Sequence, residues 1–97
     1  MSSPAGTRSM SVEIELFYAP WCTRCAAPRR RLRALLSGPA GRALAYHERN
    51  VLENLERAVE LGVTATPALA ISGRLVAMGR WREARLRALI AAARAGA

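Results

Sequence analysis

Residues 12–39 read VEIELFYAPWCTRCAAPRRRLRALLSGP, and this stretch decides the fold because its apolar period changes midway. Val12, Ile14, Leu16 and Tyr18 alternate with Glu13, Glu15 and Phe17, the period of two expected of a strand with one well-buried face. Beyond Cys25, Leu32, Leu35 and Leu36 fall on one helical face, Arg29, Arg30, Arg31 and Arg33 lie mostly off it, and Gly38 with Pro39 stops the run. The chain's two cysteines, Cys22 and Cys25, thus sit where a strand hands over to a helix. As a C-x-x-C pair they are a redox couple, a metal clamp or a local staple.

Working outward, ALAYHER at 43–49 reads as a second strand, because the NVLENLERAVELG that follows is helical. Asn50 is placed to cap that helix, Glu53 to complete a capping box, Leu52, Leu55 and Val59 to form its buried face, and Gly62 to end it. PALAIS and RLVAM flank Ser72-Gly73 as a hairpin. Past Gly79, Leu86, Leu89, Ile90 and Ala93 make one stripe with Arg82, Arg85 and Arg87 outside it, which predicts a last helix packed on the sheet. The order strand, helix, strand, helix, strand, strand, helix predicts an α/β fold. A right-handed crossover pairs the first two strands in parallel and the hairpin adds an antiparallel edge, giving a four-stranded mixed sheet with helices on both faces.

Composition bounds what such a domain does. At 97 residues, 52% of them apolar, the chain is read as one domain over 12–97 behind a flexible tail over 1–11. No apolar run reaches the roughly 20 residues of a membrane span, and MSSPAGTRSM lacks the apolar core of a secretory signal, so the expected setting is the cytoplasm with no membrane partner. The charge of +8 comes from 15 Arg and no Lys against seven Glu and no Asp, with twenty Ala besides. The arginines are scattered over predicted helix faces and are not interleaved with stacking aromatics, so no specific nucleic-acid partner is predicted.

At a strand-to-helix junction, helix N–H groups face the first sulfur and favour its thiolate, which makes Cys22 the attacking residue. Cys25, a turn further in and more buried, is the resolving thiol. Arg24 between them, with Arg29 to Arg31 close behind, is expected to depress the Cys22 pKa and stabilise the reduced form, making the couple more oxidising than a general cytosolic reductant. A staple over so short a loop contributes roughly 2 kcal/mol at most in the entropic treatment. With His47 the lone imidazole, Cys and His cannot complete a tetrahedral zinc site, so no metal is assigned, although two thiolates suit Cu(I). Pro28 is expected in the second turn of a helix that starts at Cys22, kinking it.

These features resemble the small thioredoxin-like and glutaredoxin-like proteins. FYAPWC followed by TRC is similar to the family's W-C-x-x-C loop, and GVTATPALAISG, residues 62–73, is similar to the segment in which a residue before a cis-proline, here Thr66 before Pro67, faces the cysteines. The element order is that of the minimal thioredoxin fold, over about residues 12 to 94. The resemblance implies that Thr66-Pro67 presents backbone polar groups to an extended substrate, and that Trp21 and Tyr18 form an apolar rim. The family's buried Asp has Leu16 at its place, so proton transfer at Cys25 falls to water, with Glu48 as the other candidate. Gly79-Arg80-Trp81 stands where glutathione-binding residues are looked for.

The reading is a thiol-disulfide oxidoreductase that reduces protein or small-molecule disulfides. It needs no cofactor beyond the Cys22–Cys25 disulfide, and a reductase or low-molecular-weight thiol resets it. Its rival is a Cu(I) carrier of the ferredoxin-like kind, whose second strand is followed by another strand.

Overall fold

The computed structural model describes residues 12–96; the expected tail over 1–11 lies outside them. Four strands, β1 (Val12–Tyr18), β2 (Leu44–Asn50), β3 (Ala68–Ile71) and β4 (Arg74–Met78), form one sheet in the order β2-β1-β3-β4. β1 and β2 are parallel, whereas β3 is antiparallel to both β1 and β4. The helices are α1 (Ala26–Leu36), α2 (Leu55–Leu61) and α3 (Glu83–Gly96). Ile14, Leu16 and Leu69 pack against Leu32 of α1 and Leu86 and Ile90 of α3, while Phe17, Ala68 and Ala70 pack against Ala58 of α2 on the opposite face. The mixed sheet carries helices on both faces. Among the described residues no helix is long and apolar enough to cross a membrane.

β1 is buried more fully than its alternation suggests, because α2 covers the face that carries Glu15 and Phe17. Glu15 is only 2% exposed. Burial alone would raise its carboxyl, but Arg57 of α2 (3.0 and 3.2 Å) and Arg49 of β2 (2.9 Å) outweigh that and hold it below its usual range. The same pair sets the rotation of α2. With Arg57 drawn onto Glu15, Ala58 turns to the sheet and Leu55 and Val59 turn away from it. Of the expected face Leu52, Leu55 and Val59, the last two are therefore 62% and 71% exposed, and Leu52, in the turn before the helix, is 60% exposed.

α2 also begins later than its capping pattern indicates. Asn50 remains the last residue of β2, its Oδ1 accepting the Leu52 N–H at 2.9 Å in an Asx turn, and Asn54 Nδ2 donates to the Asn50 carbonyl at 2.9 Å. These local bonds compete successfully with a helix started at Asn50. Gly62, at φ 87°, ends the helix in the left-handed region, its N–H shared between the Ala58 and Val59 carbonyls. Ser72 and Gly73, at φ 52° and 75°, form the type I′ turn that suits the twist of a two-residue hairpin.

The kinked helix expected from Cys22 is not formed. Thr23–Cys25 is a single 3₁₀ turn and α1 starts at Ala26, which makes Pro28 the third residue of the helix. A first-turn N–H has no intrahelical acceptor in any case, so the proline there costs no hydrogen bond.

Candidate active site

The C-terminal end of β1 leads through Ala19 and Pro20 into the cysteine loop, where the Cys22 N–H donates to the Ala19 carbonyl at 3.0 Å and the Cys25 N–H to the Cys22 carbonyl at 3.3 Å. Cys22 and Cys25 are joined as a disulfide with their Cα atoms 5.5 Å apart. Cys22 is half-buried, whereas Cys25 is 2% exposed beneath the loop. The first sulfur is thus the one that an incoming group can reach.

The loop before β3 faces this sulfur. The Thr66–Pro67 peptide is cis, and the Thr66 carbonyl oxygen lies 3.6 Å from Cys22 Sγ. Pro67 is buried, and its carbonyl accepts the Gly79 N–H at 2.7 Å, which ties the loop to the end of β4. A second tie is Met78, whose Sδ accepts from the Thr64 N–H at 3.2 Å and from Thr64 Oγ1 at 3.4 Å. Nothing in the sequence marks Met78 for that role, since it depends on the pairing of Met78 with Ala68 across the hairpin.

Trp21, Cys22, Thr23, Arg24, Ala65 and Thr66 enclose a shallow cavity of about 280 Å³. Trp21, Ala65 and Thr66 also border a second hollow of about 390 Å³, whose far wall is Val51, Leu52, Leu55 and Val59. Trp21 itself is 68% exposed. The apolar side chains that the Glu15–Arg57 pair turns away from the core thus continue the rim of the cysteine site. Of the expected cationic surround, Arg24 lies in the cavity with Cys22, but Arg29 is drawn to Glu48 and Arg31 to Glu83 of α3. Tyr18, expected at the rim, lies instead under the Arg29 guanidinium, which is 4.0 Å from its ring centroid.

Leu16 is fully buried, and the register places Glu48 of β2 beside it on the face that carries α1. The carboxylate does point toward the cysteine side of the sheet, but it is committed. Arg33 binds it through two contacts of 2.6 Å, Tyr46 Oη donates at 2.9 Å and Arg29 Nη2 at 3.2 Å. These donors, Arg33 foremost, hold the Glu48 carboxyl down at about 2. Burial and the hydrogen bond to Glu48 push the Tyr46 phenol well above its usual range. A carboxylate so held stays ionised at neutral pH and is poorly placed to take a proton from Cys25.

A folded pKa below the unfolded value of about 4.3 makes Glu48 stabilising above that value, with the contribution lost as pH falls toward 2. Glu48→Gln is expected to lower stability at pH 7 by on the order of 2 kcal/mol, after a discount for the exposed Arg33, and to flatten the loss of stability between about pH 4 and pH 2. Urea titrations across that range measure both. Equal stability at pH 7 with an unchanged acid slope would contradict the assignment.

A family model described as a thioredoxin domain matches residues 10–91. The chain belongs to the thioredoxin family. A curated thioredoxin from Methanocaldococcus jannaschii is 36% identical over 62 residues, covering 64% of this chain and 72% of that protein. Among solved structures, a mutant thioredoxin from Halobacterium salinarum is 28% identical with a TM-score of 0.72, over 89% of this chain and 77% of that one. Malassezia sympodialis thioredoxin, at 23% identity, shares the fold with a TM-score of 0.74 over 95% and 86% of the two chains. As a thioredoxin-family member with its cysteine pair at disulfide distance, the chain is a thiol-disulfide oxidoreductase whose redox group is its own disulfide. The copper-carrier alternative fails on topology, since β2 is followed by α2 and not by a strand.

Proposed function

We propose that Cys22 attacks protein disulfides and Cys25 resolves the product, with Trp21, Thr66 and Pro67 holding the substrate chain and Arg24 supplying positive charge that favours the Cys22 thiolate. The difference in exposure carries this reading: Cys22 is reachable and lies 3.6 Å from the Thr66 carbonyl, while Cys25 is sealed beneath it. The Cys22 thiolate attacks one substrate sulfur, the substrate S–S bond breaks, and the released sulfur keeps the electron pair and takes a proton from water. Cys25, deprotonated, then attacks Cys22 Sγ. The mixed disulfide breaks, the second substrate thiolate leaves, and two electrons have passed from the dithiol to the substrate.

An extended substrate strand fits beside Thr66, where main-chain groups supply alignment, and its apolar residues fit the hollow behind Trp21. A reductase or a low-molecular-weight thiol returns the couple to the dithiol. The reading sets this cycle in the cytoplasm, with support from a chain whose two cysteines both belong to the couple.

Equilibration in glutathione buffers, with trapping of free thiols, tests the assignment. A reversible two-electron transition between dithiol and disulfide is expected, at a potential above the roughly −270 mV of thioredoxin. A chain that forms no intramolecular disulfide in any buffer would sink the reading. Trp21→Ala is expected to raise KM for a protein disulfide by about tenfold, the cost of truncating a contact aromatic, with little change in kcat. Steady-state kinetics on reduced protein measures it, and an unchanged KM removes Trp21 from the binding surface.

A further inference from the structure

The guanidinium of Arg29 stands in a place that the exchange steps leave unused. Arg29 follows Cys25 by four residues, and Cys25 already has helical dihedrals, φ −80° and ψ −21°. The two side chains therefore share one helix face, with Cβ atoms roughly 5–6 Å apart. Helical side chains lean toward the N-terminus, which carries Arg29 back over the turn that holds Cys25.

Three contacts or their lack define its state. The guanidinium stacks over Tyr18, its Nη2 donates to Glu48 Oε1 at 3.2 Å, and its Nε is buried without a hydrogen-bond partner among the described residues. Glu48 is bound more closely by Arg33, through two 2.6 Å contacts. One carboxylate thus faces two guanidinium groups, and Arg29 is the less committed of them. A buried donor on a charged group is costly to leave unpaired. Reduction of the disulfide frees the Cys25 thiol on the same helix face, and its deprotonation places an anionic acceptor there.

We propose that Arg29 is the counter-charge of the Cys25 thiolate, so that the reduced protein gains an ion pair which the disulfide form lacks. The inference rests on the reading of Cys25 as the resolving thiol. In the resolving step the Cys25 electron pair forms the bond to Cys22 Sγ, the bond from Cys22 to the substrate sulfur breaks, and that sulfur leaves as a thiolate that water protonates. Arg29 holds the attacking sulfur deprotonated for this step and exchanges no proton itself. Its charge serves Cys25 where Leu16 offers no acid to accept the proton. The groups that face Arg29 are Tyr18 from β1, Tyr46 and Glu48 from β2, and Arg33 from its own helix.

The test is the equilibrium of the full-length chain with glutathione at pH 7 and pH 9, for wild type, Arg29→Leu, Arg29→Lys and Glu48→Gln. Arg29→Leu is expected to shift the equilibrium about tenfold toward the disulfide at pH 9, a potential about 30 mV more negative, with a smaller shift at pH 7 where less thiolate is present. Arg29→Lys should recover most of the difference. Glu48→Gln, which removes the competing anion, should shift the equilibrium the other way. A residue that merely supports the fold would weaken oxidised and reduced forms alike and leave the equilibrium where it was. Arg29→Leu matching wild type at pH 9, or moving in the same direction as Glu48→Gln, overturns the proposal. Should Arg29→Leu not fold, Glu48→Gln decides: an unmoved equilibrium overturns it. A wild-type chain without a reversible couple would overturn the oxidoreductase assignment of Cys25 as well, whereas a normal wild-type couple with unmoved variants removes Arg29 alone.

Discussion

Cys22→Ser is expected to abolish disulfide reduction, while Cys25→Ser should keep the first attack and accumulate a mixed disulfide with the substrate. The asymmetry follows from where the two sulfurs sit. Cys22 borders the cavity shared with Trp21 and Thr66, and a serine oxygen there is not ionised at neutral pH and forms no disulfide. Cys25 is 2% exposed and out of reach of a substrate sulfur, so it cannot stand in for the missing nucleophile. With Cys25 replaced, nothing near Cys22 displaces the bound substrate thiol, since the described residues contain no third cysteine. Reduction of a protein disulfide, followed by intact-mass measurement under non-reducing conditions, reads both outcomes. Substantial reductase activity in Cys22→Ser, or a stable mixed disulfide on Cys25 and not on Cys22, would reverse the roles.

The features that the sequence makes legible are those set by near neighbours along the chain. The change from period two to helical period across residues 12–39 locates β1, the cysteine loop and α1, and Ser72-Gly73 locates the hairpin. The misreadings of burial and charge share one cause, whereas the late start of α2 and the absent kink of α1 are local, from the turn at Asn50 and from Pro28 falling in the first turn. Glu15 belongs to an alternating strand and reads as a solvent-facing residue, yet its buried state depends on Arg57, 42 residues away, and on Arg49. That one ion pair also orients α2, so the pattern of Leu52, Leu55 and Val59 points to a core and the structure delivers a surface beside the active site. Likewise Arg24 with Arg29 to Arg31 reads as one cationic surround of Cys22. It is divided by contacts with Glu48 and Glu83, from a strand and a helix that come later in the chain. Charges whose partners are distant in sequence are invisible to periodicity.

Leu16→Asp puts this view of the site to its hardest test, because it restores an acid at the place where the family resemblance expects one. Leu16 is fully buried among Ile14, Leu32, Leu69, Leu86 and Ile90, with the Glu48 carboxylate on the adjoining strand. Removing the leucine side chain from such a core costs about 2–5 kcal/mol before any charge is considered. An ionised Asp in its place would also be desolvated and would stand near the Glu48 carboxylate, and both effects raise its folded pKa. The expected loss at pH 7 is at least about 4 kcal/mol, a large part of the roughly 5–15 kcal/mol available to a domain. The pH dependence has a definite sign. A carboxyl with a raised folded pKa binds its proton more tightly in the native state, so the penalty is smallest near pH 4 and grows as pH rises toward that folded value. This slope is opposite to that of Glu48, whose pairs weaken on acidification. Leu16→Asn serves as the control, with a similar loss of apolar burial and no added slope. Urea titrations at pH 4 and pH 7 separate the two variants. If Leu16→Asp proved as stable at pH 7 as at pH 4, the core around position 16 would have to admit water or a countercharge, and Arg29, bound to the neighbouring Glu48, would be the group to supply it.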